Sequence, residues 1–282
     1  MKNIIKAQLY GFRHKKRAVI ALAGIFLFFA AVTGIHCIRS MHYAGTEYGI
    51  FYSGSYNFMS NGSGVTSMIL CAAIISGFIC ADDFGDRTSN YEIMGGVTRR
   101  QSYFGRVIAA GVLCAVFPII FFVSPLLIHT VFFGWGNTVT LFDAVCKAGL
   151  VYIVLIRFTA FFILLAFLFK NPYIVIITAF AESAVSSVVL ISGSGSGIGV
   201  SAMSSLTGIF NINTWSVGGL LPTIPDRSNI DNLLEITSQI NHSVIIPALT
   251  GREAVIIIVS SLAFAALYIF LGLAYYRKDD LR

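Results

Sequence analysis

Lys15-Lys16-Arg17-Ala18-Val19-Ile20-Ala21-Leu22-Ala23-Gly24-Ile25-Phe26-Leu27-Phe28-Phe29-Ala30-Ala31-Val32-Thr33-Gly34-Ile35-His36-Cys37-Ile38 sets three basic residues before an almost uninterrupted apolar run. At a rise of about 1.5 Å per residue, about twenty apolar residues cross the roughly 30 Å hydrocarbon layer of a bilayer. Such a run behind a basic flank also resembles a secretion signal, but no small-x-small cleavage site follows. His36 before Cys37 makes Gly34-Ile35-His36-Cys37 a poor lipoprotein-processing sequence. The run is therefore read as a retained membrane helix.

The remainder of the chain repeats the pattern. Of 282 residues, 56% are hydrophobic and 11% charged, whereas soluble domains run near a quarter charged. Six segments are long and apolar enough to span: Ala18–Ile38, Gly64–Ala81, Val107–Phe133, Ala144–Phe169, Pro172–Ile191 and Ala254–Tyr276. Pro172 falls in a first helical turn, where its missing N–H costs nothing. Pro118 and Pro125 lie inside the third segment and are candidate kinks. The expected fold class is an all-α membrane protein forming one domain over residues 1–282, with an outer segment at 200–253.

Basic residues set the orientation. Of the 19 Lys and Arg, fourteen fall on the side that holds both ends of the chain, four on the other, and Arg157 within a span. Lys and Arg near span ends stay in the cytoplasm, so N-in/C-in in a cell membrane is expected. The net charge of +6 is spent in these flanks, which argues against nucleic acid as a partner. Before the first span, Ile5, Leu9 and Phe12 make one helical stripe, with Lys2, Lys6 and Arg13 beside it. That arrangement suits an interfacial helix whose basic side chains snorkel outward.

The loop from Asp82 to Arg106 carries the most local information. Ser89-x-x-Glu92 and Thr98-x-x-Gln101 are both capping-box patterns, each able to satisfy free N–H groups at a helix start. Gly95-Gly96 breaks the chain between them. The pattern predicts a short helix over Ser89–Met94, a glycine hinge, and a second helix running from Arg99 into the third span. Acids come first (Asp82, Asp83, Asp86, Glu92) and bases second (Arg99, Arg100, Arg106), a sided arrangement suited to docking a soluble partner.

On those residues the chain resembles the ABC-2 (type V) exporter permeases. The matching positions are Asp83, Thr88, Ile93-Met94, Val97-Thr98-Arg99-Arg100 and Tyr103-Phe104-Gly105-Arg106. Asp86-Arg87 departs from the glycine that often precedes the Thr, and the outer loop is longer than usual. The resemblance implies half of a membrane channel that pairs with a second permease copy or a related permease. It also implies that the loop, with Asp82, Asp83, Asp86, Arg87, Thr88, Glu92, Arg99, Arg100 and Arg106, sits on a separate ATP-binding cassette ATPase. No G-x-x-x-x-G-K-[ST] occurs in this sequence, so ATP would be handled by that partner. The chain itself is expected to be non-catalytic and without cofactor, its cargo a lipid, a drug or an antimicrobial peptide.

Two ionisable residues lie deep within spans. Counted from the span ends, Arg157 is roughly 18 Å and Glu182 roughly 16 Å from the cytoplasmic side. Each charge alone costs several kcal/mol at such depth, so an Arg157–Glu182 ion pair is expected. The run from Ser192 to Gly199 resembles a phosphate loop but follows no strand, and reads as a flexible exit from span five. Trp215 suits a headgroup position in the outer segment. His36, His129 and His242 are scattered, and the five Cys lack metal-ligand spacing, so no metal is expected. Two other readings stay open: a non-transporting sensor or immunity protein, and an intramembrane hydrolase. The last is disfavoured because Ser194 has no span-embedded His opposite it.

Overall fold

Long runs without charge force the backbone to satisfy its own hydrogen bonds, and in lipid a single chain segment does this as a helix. The structure is a computed structural model that describes residues 2–43, 62–85, 94–135, 141–181 and 251–278. Every regular element among them is helical, and no strand occurs among the described residues. In chain order the helices are α1 (Lys2–His14), α2 (Lys16–Tyr43), α3 (Gly62–Cys80), the single turn α4 (Asp82–Gly85), α5 (Arg99–Phe133) and α6 (Leu141–Phe169). Then come α7 (Pro172–Ala181) and α8 (Gly251–Lys278).

Three stretches among the described residues are long and apolar enough to cross a membrane: Lys16–Ile35, Ala148–Phe169 and Ile258–Arg277. Ser67–Cys80 and Pro172–Ala181 are apolar but shorter. The described residues are thus all-helical, and their apolar helices make this a membrane-embedded protein. α5 stays helical from Arg99 through Pro118 and Pro125 to Phe133. The expected helix at Ser89–Met94 (save Met94), the run from Ser192 to Gly199, and the outer segment at 200–253 with Trp215 and His242, save its last three residues at the start of α8, lie outside the described residues.

Packing is layered. α3 is the inner helix: Cys71, Ala72, Ala73, Ile75, Ser76 and Cys80 have no exposed surface, so it is covered on all sides. It lies against α5 and α6, and α8 packs mainly on α6. The apolar window of α6 is 61% buried, against 11% for α2 and 17% for α8. Those two outer helices therefore carry large exposed apolar faces, such as Ile20, Leu27 and Phe28 on α2 and Val259 and Phe270 on α8. Without water, helices gain little from burying apolar surface against one another, so close backbone approach and polar contacts hold the bundle.

Two glycines mark such approaches. A Cβ at Gly105 would lie 2.6 Å from Ile4 Cγ2, where α1 rests on α5. A Cβ at Gly272 of α8 would lie 2.7 Å from the Tyr103 hydroxyl. Gly24 of α2 has nothing within 4 Å. Replacing a helical Gly by Ala gains about 1 kcal/mol of helix propensity, while overpacking costs about 1–3 kcal/mol. Gly24→Ala should therefore hold or raise the melting temperature in detergent, and Gly272→Ala should lower it. Equal, unchanged melting of both variants would show that the Tyr103–Gly272 approach is slack.

Candidate functional site

Thr98 is the N-cap of α5, and the capping box is complete. Its hydroxyl accepts from the Gln101 N–H at 3.3 Å, and the Gln101 side chain accepts from the Thr98 N–H at 3.2 Å. Two donors that a helix start leaves open are thereby satisfied. Just before it, Gly96 sits at φ 87, a left-handed conformation that glycine adopts without penalty. The loop thus breaks at Gly95-Gly96 as the sequence predicts. Met94 stands 82% exposed ahead of the break. Arg100 is exposed, while the Arg99 guanidinium donates to the Arg277 carbonyl at the end of α8, 3.2 Å away.

One turn further along α5 the chemistry turns inward. Tyr103 is fully buried and its hydroxyl donates to the Ile269 carbonyl of α8 at 2.6 Å. Burial pushes its phenol well above the usual tyrosine range, so it stays a donor. Its ring lies 4.7 Å from Phe167 of α6 and 5.9 Å from Tyr276 of α8, and Phe84 stands edge-on to both Phe167 and Tyr276 at 6.0 Å. Two cations address the Phe84 ring, Arg106 at 5.5 Å and Lys170 at 5.7 Å. Such contacts strengthen as water is excluded. Arg106 is fully buried, so its charge acts inside the bundle rather than on the docking surface where the sequence grouped it.

The same end gathers the remaining helix termini. Lys170 takes φ 52 and its N–H donates to the Ala166 carbonyl at 3.0 Å, closing α6. The Asn171 side chain accepts from the Tyr173 N–H at 2.9 Å, opening α7 behind Pro172. Lys15 sits at the break between α1 and α2. Its ammonium donates to the Phe78 carbonyl at 3.0 Å and pairs with Asp82 at 3.1 Å. A cation on the last carbonyls of α3 satisfies an acceptor the helix cannot satisfy itself and complements its dipole. The apolar side of α1 turns to the protein: Phe12 is buried, Ile5 and Leu9 half-buried, and Lys6 and Arg13 exposed.

Of the residues assigned to the loop surface, the structure brings Asp82, Arg99, Arg100 and Arg106 to this end. Asp83 lies within α4, and Asp86, Arg87, Thr88 and Glu92 lie outside the described residues. Sequence reasoning missed Lys15, which it counted only as an orientation charge, and the aromatic set around Phe84. Phe84 was visible as the lone aromatic in the acidic run Asp82-Asp83-Phe84-Gly85-Asp86.

Arg157 is buried at 3% exposure. Its expected partner Glu182 lies outside the described residues, just beyond α7. On another face of α6, a cleft of about 210 Å³ opens between α5, α6 and α8, lined among others by Val107, Gly111, Ala115, Tyr152 and Ile269. Its polar groups are spoken for: Tyr152 donates to the Ala115 carbonyl at 2.5 Å and Thr159 to the Leu155 carbonyl at 2.9 Å. All five cysteines are free thiols. No group of His, Cys, Asp or Glu suited to a metal occurs among the described residues. Comparison with protein-family models, curated proteins and solved structures finds no match to this chain.

Lys15 and Asp82 are each about a quarter exposed (23% and 25%), so solvent screens the pair and its direct coupling is about 0.5–1 kcal/mol. A double-mutant cycle of Lys15→Met and Asp82→Asn, read by thermal unfolding, should return that coupling. Lys15→Met should cost more than Asp82→Asn, because it also strips the Phe78 carbonyl. Strict additivity would remove the ion pair from the account.

Proposed function

We propose that the chain is the membrane-spanning permease subunit of an ATP-driven exporter of the ABC-2 (type V) kind. In this reading six helices span the cell membrane with both termini in the cytoplasm. α1 lies at the headgroup level, and the loop from Asp82 to Arg106 receives a separate ATPase subunit. A second permease completes the channel, and the exposed apolar faces of α2 and α8 are the surfaces left for lipid or that partner. The cargo is hydrophobic or amphipathic.

The observation that carries this reading is the convergence at the basic end. Residues of the loop and its flanks touch the ends of several helices there: Phe84 meets the ends of α6 and α8, Asp82 meets Lys15 between α1 and α2, and Arg99 meets the end of α8. A push on that surface is passed to the bundle through stiff aromatic and ionic contacts, which is what coupling to ATP hydrolysis requires. Exposed Met94 and Arg100 beside it supply an apolar anchor and a charge for a soluble partner.

The test is mild-detergent purification of the tagged protein from its native membranes, with mass spectrometry of what accompanies it. A stoichiometric ATP-binding protein is expected, lost when Glu92, Arg99 and Arg100 are replaced by Ala, and weakened several-fold by Met94→Asp. Intact protein with no ATPase across several detergents would overturn the permease reading in favour of a non-transporting sensor or immunity protein.

A further inference from the structure

α6 and α8 run side by side in the same direction. Phe161 meets Tyr268 at 5.4 Å between ring centres and, nearer the basic end, Phe167 meets Tyr276 at 5.3 Å. Arg157 is one turn before Phe161 and so shares its face toward α8; Tyr268 lies within electrostatic reach of it. Ser261 is two turns before Tyr268 on the matching face of α8. Helical side chains lean toward the helix N-terminus, which carries the Arg157 guanidinium toward the level of Ser261.

Both groups are buried and open. Arg157 is 3% exposed and Ser261 has no exposed surface. Neither terminal nitrogen of Arg157 nor the Ser261 hydroxyl has a hydrogen-bond partner among the described residues. For a serine this is unusual within a membrane helix, where the hydroxyl ordinarily donates back one turn. Thr159 and Thr178 do so here, to Leu155 and Ile174 at 2.9 and 2.8 Å. The ring of Phe158, 5.9 Å from the guanidinium carbon, attracts the charge. A planar fork of donors with a hydroxyl beside it matches a carboxylate or a phosphate, which takes two parallel N–H bonds and a third from oxygen. Buried ionisable groups in spans mark substrate paths or paired charges.

We infer that Arg157 and Ser261 form a seat, deep in the seam between α6 and α8, for the anionic headgroup of a hydrophobic molecule carried in the membrane. The headgroup is a phosphate or carboxylate, and the surrounding apolar helices take the tail. The identification of that molecule as cargo rests on the permease reading; the binding does not. The same chemistry has a source within the chain, the Glu182 carboxylate, and the experiment separates the two.

Full-length protein in a neutral maltoside detergent is titrated with dodecyl phosphate and with dodecanol of equal chain length, and the bound fraction is read by native mass spectrometry. The unmodified protein should hold dodecyl phosphate about 10-fold to 100-fold tighter than dodecanol, the range expected for hydrogen bonds to a charged group. Arg157→Met should erase the preference, Ser261→Ala should reduce it, and Glu182→Gln should leave it unchanged. Ser261→Ala removes a single oxygen and decides the matter if Arg157→Met fails to fold. No preference in the unmodified protein overturns the inference. So does a preference gained only in Glu182→Gln, because Arg157 is then held by the chain's own carboxylate. A preference surviving both seam variants also overturns it, because the probe binds elsewhere. No ATPase is present in this measurement, so its outcome is independent of the co-purification result.

Discussion

Phe84 joins four segments that are far apart in sequence. Its ring stands edge-on to Phe167 and Tyr276 and faces the cations of Arg106 and Lys170. Tyr103 completes the cluster by packing on Phe167 and Tyr276 while donating to the Ile269 carbonyl. Lipid tails are as apolar as leucine, so the hydrophobic effect does not choose which membrane helix meets which. Aromatic edges, buried cations and single hydrogen bonds to backbone carbonyls have to do it. They do so at the end of the bundle where charged side chains can still reach water.

The effect is that aromatic and ionic contacts between distant helices concentrate at one end of the bundle. At the basic end Lys15 seals the last turn of α3 and holds Asp82, and α1 lies over Gly105 closely enough to exclude a methyl group. Further from that end an apolar cleft of about 210 Å³ lies between α5, α6 and α8, and the terminal nitrogens of Arg157 and the Ser261 hydroxyl have no hydrogen-bond partner among the described residues.

Burial also divides the helices by role. α3 and α6 have few faces left for lipid, whereas α2 and α8 present most of theirs. The apolar windows of α2 and α6 are equally hydrophobic although their burial differs, because a buried membrane helix and a lipid-facing one draw on the same apolar residues.

Much of the architecture was legible in the residues. Apolar run length located the helices to within a few positions for α3, α6 and α8. Thr98-x-x-Gln101 marked the start of α5, Gly95-Gly96 its preceding break, and Pro172 the first turn of α7. These are local signals, set by the rise of a helix, the open donors at its start and the φ of a single residue. What each charge and ring does was decided by the tertiary structure alone. Lys15 and Arg106 carry the same formal charge in comparable flanks, yet one caps a helix at the surface and the other is buried under Phe84. The cluster of Phe84, Tyr103, Phe167 and Tyr276, like the seam of Arg157 and Ser261, exists only once helices distant in sequence lie side by side. No spacing along a single chain encodes which helices do so.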